Sequence, residues 1–220
     1  MSTRTTVLLS LLMIVAAAGL SLAVYERLPD RVASHWNMND QVDGTMPRVW
    51  GAFLMPVISL AMLGLFMLIP VIDPMRANIA SFRGLFNVFI AVIVAFMLYL
   101  HVLTLLWNQG LQTFRMSTAL LPAMGLLFIF MGALLRRAKR NFFIGIRTPW
   151  TLASDRVWDR THQLGSRLFI VSGILALVGA FFPGAVAYGL VLVPALVSTL
   201  VVLIYSYFLW RAEQTTSARD

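Results

Sequence analysis

Cysteine is absent from the 220 residues, so the chain has no disulfide framework, no thiolate metal site and no cysteine nucleophile. Charge is scarce as well. Asp, Glu, Lys and Arg make up 12% of the residues against 60% hydrophobic ones, whereas soluble domains carry about 25% charged residues. A water-soluble globule of this composition could not cover itself with polar surface, so the chain belongs in lipid. Acidic residues are missing from every long apolar run; intramembrane acids are the usual marks of proton relays and ion coupling, and a coupled transporter is therefore disfavoured. No HExxH, no GxSxG and no glycine-rich phosphate loop occurs, which leaves an enzyme unsupported. The expectation is a non-enzyme with no cofactor and no metal. Long linkers, low-complexity tracts and internal repeats are also missing, so residues 1–220 read as one helical membrane domain.

Stretches free of charge run through residues 5–25, 49–72, 84–114 and 116–135. Each suits one helix, because a bilayer core of about 30 Å needs about 20 residues. A fifth stretch, 168–210, is too long for one crossing and breaks at Pro183-Gly184, a dipeptide that favours a turn. The fold class is thus an all-α polytopic membrane protein with six transmembrane helices. Arg4, the apolar run Val7–Val24 and Ala16-Ala17-Ala18 resemble a secretory signal peptide, but the run exceeds the usual core of about 7–15 residues and is read as the first span.

Basic residues accumulate on the inner side of membrane proteins. With the N-terminus inside, only Arg27, Arg31, Arg48 and Arg115 of the 17 basic residues fall outside, and Arg136, Arg137, Lys139, Arg140 and Arg219 are among those within. Both termini are expected in the cytoplasm, in a bacterial inner membrane. The net charge of +8 is then a topology signal with affinity for anionic membrane lipids, and nucleic acid is not an expected partner.

Two connections stand out: an outer cap, residues 25–49, and an inner loop, residues 136–166. In the cap, Val32, Ser34 and Trp36 alternate with Ala33 and His35, Asp43-Gly44 gives a turn signal, and Pro47 ends regular structure, a pattern that predicts a hairpin. His35, Asp40 and Asp43 are metal-donor types, but one histidine with loosely spaced acids falls short of a closed site. Packing at the interface and turn formation are the expected roles.

In the inner loop, Arg136–Arg140 reads as a lipid-headgroup anchor. The next stretch, NFFIGIRTPW, contains Gly145 and Pro149 and cannot be helical throughout. Irregular backbone at that depth must be buried against protein, so the segment is expected to plug the inner mouth of the bundle. Thr151 or Ser154 is a candidate N-cap for the following helix, with Asp155 in its first turn and Gly165 weakening it. Asp159 and His162, three residues apart, are a candidate hydrogen-bonded pair. His101, the lone ionisable group of the third span, is expected to bond within the bundle. Gly64, Gly125, Gly132, Gly173 and Gly179 allow close helix approach, while Pro56, Pro70, Pro122 and Pro194 weaken helix bonding locally.

The stretch RNFFIGIRTPWTLASDRVWDRTHQLG resembles the signature of the SdpI family of bacterial membrane proteins at Asn141, Ile144, Gly145, Arg147, Thr148, Pro149, Trp150, Thr151, Leu152, Trp158, Thr161, His162 and Gly165. The outer loop resembles a module of unknown function often found at the N-terminus of that family, through Leu28, Pro29, His35, Trp36, Asn37, Asp43 and Gly44. Asp40 stands where that module often has glycine, and Asp tolerates left-handed backbone. The resemblance divides the chain into an N-terminal module, residues 1–72, and a core, residues 108–210. It implies an immunity protein that protects against a membrane-active peptide toxin met by the outer loop. It also implies signalling through residues 141–162, Asp159 included, to a transcriptional repressor held at the membrane. An alternative is a membrane enzyme or lipid-binding protein whose polar pocket is formed by Asn141, Arg147, Asp159 and His162, with Arg147 gripping a phosphate or carboxylate headgroup.

Overall fold

The computed structural model describes residues 1–182 and 184–217. Pro183, expected in a turn, and Arg219, counted among the inner charges, lie outside the described residues. Among the described residues, six helices are long and apolar enough to cross a membrane. They are α1 (Thr3–Val24), α2 (Arg48–Ile72), α4 (Arg83–Asn108), α5 (Met116–Leu135), α7 (Asp155–Gly179) and α8 (Gly184–Ser217), with two short helices, α3 (Arg76–Ser81) and α6 (Pro149–Ala153), between them. Each span begins or ends within a few residues of a charge that bounds its apolar run. The exception is α7, which starts well before that run.

Helix α1 shows how the bundle is sorted. Ser2 caps it, its Oγ accepting the Thr5 N–H at 3.1 Å. The buried positions are Thr6, Ser10, Ile14, Ala17 and Ser21, while Leu8, Leu12, Val15 and Leu22 are exposed. Lipid is as apolar as leucine, so small and weakly polar residues take the helix-facing seam and large apolar ones take the lipid.

Helices α1, α2 and α4 pack together, and α5 packs with α7 and α8. The second group is pinned by glycine. A Cβ on Gly125 would stand 2.8 Å from the Gly173 carbonyl oxygen, and one on Gly132 would stand 2.7 Å from that of Ser166. Backbones touch there directly. Gly64 differs: nothing lies within 4 Å of its Cβ position, so it mediates no approach.

The three N-terminal helices share one polar knot. Pro56 has no N–H, which leaves the carbonyl of Ala52, four residues earlier, without its helical donor. The Ser21 hydroxyl donates to that oxygen at 2.5 Å and lies 2.8 Å from Nε2 of His101. With the hydroxyl proton spent on Ala52, the serine oxygen accepts from Nε2–H. His101 is fully buried and bonded within the bundle, as expected from sequence.

Above α2 and α4 sits the hairpin. Strands β1 (Arg31–Trp36) and β2 (Val42–Pro47) pair antiparallel, with Arg31 opposite Pro47 and Trp36 opposite Val42. The expected hairpin is present, but its turn is not at Asp43-Gly44. The chain reverses over residues 37–41, where Asn37 Oδ1 accepts the N–H groups of Asn39 and Gln41 and Asp40 takes φ 59°. Gly44 lies inside β2 opposite His35, where an added Cβ would come 2.9 Å from that of His35. It serves a close cross-strand approach rather than a reversal. Leu28 and Val32 anchor the hairpin on Ala52 and Leu105. Asn108 completes the strand edge: its Oδ1 accepts the Ala33 N–H at 2.8 Å and its Nδ2 donates to the Ala33 oxygen at 3.0 Å.

Candidate functional site

Residues 136–154 fold at the opposite end of α2 from the hairpin, as a latch built from side chains that satisfy an irregular backbone. Asn141 is its hub. Its Oδ1 accepts the N–H groups of Phe143 at 2.9 Å and Ile144 at 2.6 Å, and its Nδ2 donates to the carbonyls of Lys139 and Ile144. Fully buried, it stands in for the hydrogen bonds a helix would have supplied. Ile144 enters the apolar cluster of Ile79, Phe82, Phe86 and Leu134. The expectation of a plug against the bundle end is met in these contacts.

Thr148 then caps α6. Its Oγ1 accepts the Thr151 N–H at 3.1 Å, and Thr151 Oγ1 accepts the Thr148 N–H at 2.8 Å, a reciprocal capping box with Pro149 at the first helical position. Thr151 is therefore not the N-cap considered from sequence. Ser154 is one, accepting the Val157 N–H at the start of α7, with Asp155 in the first turn. Trp150 packs edge-on against Tyr207 of α8, ring centroids 5.2 Å apart, and carries the latch onto the last helix.

Helix α7 supplies the floor. Trp158, fully buried, donates from Nε1 to the Ala138 carbonyl at 2.8 Å and stacks on His162 with centroids 4.0 Å apart. Nδ1 of His162 lies 2.8 Å from the Trp158 carbonyl, which can only accept, so Nδ1 carries the proton; Nε2 then accepts the Ile146 N–H at 3.0 Å. Both ring nitrogens are spent on main chain. The proposed His162–Asp159 pair does not form, because Asp159 faces outward with Lys139 3.8 Å away. Gly145 has φ +118°, and a Cβ there would collide with His162 Nε2. Gly165 is corrected too. Helix α7 runs through it unbroken, and it is small because Ile146 Cδ1 occupies the space a Cβ would need.

The alternative polar pocket is not assembled. Asn141 and His162 are buried and consumed, Asp159 is exposed, and exposed Arg147 donates from Nη1 to the Phe142 carbonyl at 2.9 Å. Among the described residues, no group of three or more His, Asp or Glu is placed to hold a metal ion.

At the hairpin end, His35 Nδ1 and Asp43 Oδ1 are 2.5 Å apart in an exposed pair. Trp36 packs edge-on to Trp107, and Asn37 orders the turn. Asp40 is drawn away from both, its carboxylate accepting the Ser117 N–H at 2.8 Å and hydroxyl at 2.6 Å at the start of α5. The three residues weighed as metal donors thus split into a hydrogen-bonded pair and a helix clasp.

Two residues of the latch were not anticipated from sequence. Asp73, 2% exposed just past the end of α2, accepts the Met75 N–H at 2.6 Å and the Phe142 N–H at 2.9 Å. Asn78 of α3 donates to the Arg140 carbonyl at 2.7 Å. The sequence signal of Asp73 is a polar group at the edge of an apolar run, and Asn78 carries none.

A polytopic helical membrane protein with a folded loop at one end and a strand cap at the other is the class these features define. Residues 137–206 match the SdpI/YfhL protein family, and residues 12–60 match a domain of unknown function, DUF1648. The chain is 24% identical over 191 residues to the immunity protein SdpI of Bacillus subtilis (strain 168), covering 87% of this chain and 89% of that one. No solved structure matches it. By these matches the chain is similar to the SdpI family over its C-terminal part and to an SdpI immunity protein over most of its length.

Proposed function

We propose that this protein is an immunity protein of the bacterial inner membrane, protecting its cell from a membrane-active peptide, with both termini in the cytoplasm. The observation that carries this is the similarity to a protein named for immunity along 87% of the chain, cap and latch included. In this reading the hairpin and outer helix ends meet the toxin, and the latch reports inward, where a repressor held at the membrane would sense it. Helix α2 offers the route. It joins β2 directly at Arg48, and the carboxylate just past its other end holds the Phe142 N–H. At 1.5 Å per residue its 25 residues span about 37 Å, so a shift at the cap has a stiff path to the latch.

The test is expression in a strain sensitive to membrane-active peptides, with survival as the readout. Survival is expected with the wild-type chain and lost with Arg147→Ala or Trp150→Ala, provided both variants still insert. No protection by the wild-type chain against any peptide of the panel would remove the immunity reading. Full protection by both variants would remove the latch from it.

A further inference from the structure

Helices α5 and α7 touch backbone to backbone at Gly132 and Ser166. One turn beyond Gly132, Arg136 caps the end of α5; one residue beyond Ser166, α7 presents Arg167. The close crossing therefore brings two arginines from different helices to the sides of one cleft of about 350 Å³, lined by Arg136, Gln163, Ser166, Arg167 and Ile170. Among the described residues no acidic side chain lines it. The nearest acid along α7, Asp159, has Lys139 beside it, and neither arginine has a carboxylate within salt-bridge distance among the described residues.

Below the polar rim the surface changes character. Ile170 is the apolar member of the lining, and Val171, Ile174 and Val178 continue along α7 as exposed apolar residues. A guanidinium pair, an amide donor and an apolar track leading toward the bilayer core match a phosphate carried on acyl chains.

We propose that this cleft is a binding site for the phosphate of an anionic lipid headgroup, held between Arg136 and Arg167 with Gln163 as an added donor and an acyl chain along Ile170 and Ile174. The site shares only Arg136, its first residue, with the latch, and its test does not depend on the immunity reading. A lipid seated here bridges the end of α5 to α7 and so braces the base from which the latch departs.

The test is native mass spectrometry of the full chain in detergent, titrated with phosphatidylglycerol, with phosphatidylcholine and with inorganic phosphate. Saturable binding of phosphatidylglycerol is expected, with phosphatidylcholine weaker. The double variant Arg136→Gln/Arg167→Gln is expected to weaken phosphatidylglycerol about tenfold or more, at a loss on the order of that seen for two surface arginines. Arg156→Gln/Arg160→Gln removes the same charge elsewhere on α7 and is expected to leave binding unchanged. Equal losses in both double variants would reduce the cleft to general surface charge and overturn the proposal. Displacement of the lipid by millimolar inorganic phosphate would overturn its lipid part, making the site one for a free anion. Thermal unfolding of each variant without lipid separates lost binding from lost fold.

Discussion

The carboxylate of Asp73 and the main-chain N–H of Phe142 meet at 2.9 Å, joining two stretches 69 residues apart. Asp73 also holds the Met75 N–H, so one side chain turns the chain after α2 and pins the latch. Removal by Asp73→Ala strands two main-chain donors, a cost of about 1.5–3 kcal/mol for each bond to a charged group. Hydrogen exchange is expected to accelerate over residues 141–148 and to stay unchanged over the hairpin. Unchanged exchange at Phe142 and its neighbours would deny Asp73 this role.

Gly145 and Gly19 make opposite predictions for the same substitution. Gly145 has φ +118° with His162 where a Cβ would go, whereas Gly19 lies in α1 with nothing within 4 Å of its Cβ position. Gly145→Ala is expected to lower the unfolding temperature through strain of about 1–2 kcal/mol plus a displaced histidine. Gly19→Ala is expected to be neutral or to stabilise by up to about 1 kcal/mol. Thermal unfolding in detergent compares the two.

The crossing of α5 and α7 depends on two glycines facing each other. Gly173→Leu is expected to push the helices apart and to destabilise strongly, because Gly125 O and Ile129 already fill the space a side chain would enter. Gly64→Leu, with open space around it, is expected to be tolerated. The contrast is read from the yield of monodisperse protein and its unfolding temperature.

Because the chain has no cysteine, sidedness can be probed one position at a time. His35→Cys and Arg147→Cys both replace exposed side chains at opposite ends of the bundle. A membrane-impermeant maleimide added to intact cells is expected to label the first and, only after permeabilisation, the second. Labelling of both in intact cells would remove the proposed path from cap to latch. His35→Cys should cost less than about 1 kcal/mol of stability, since its contact with Asp43 is exposed to solvent and worth little.

The six spans were legible in the sequence because a bilayer sets a length that the charge-free runs meet. Much of the hairpin was legible from its alternation, and the latch from its Gly and Pro. What escaped the sequence was decided by partners far along the chain. Gly165 reads as a weak point of α7 until Ile146 folds back onto it. His162 has Asp159 within reach along the helix, but Ile146 N–H arrives from the latch and takes the free nitrogen. Asp40 looks like a turn residue, and is one, yet its carboxylate goes to Ser117, 77 residues later. Asp73 gave no sign of its partner at all.

The oxygen that Pro56 frees on Ala52, and the hydroxyl of Ser21 that answers it, form a lock and key within a single gene. Were the proline exchanged for leucine, the rung it omits from α2 would return and compete with the serine for that oxygen, leaving the serine and the imidazole behind it to share the carbonyl of Ala17. Descendants of this protein should accordingly lose or keep the two together, and a lineage holding one alone would be expected to have rebuilt the meeting point of its first three rods.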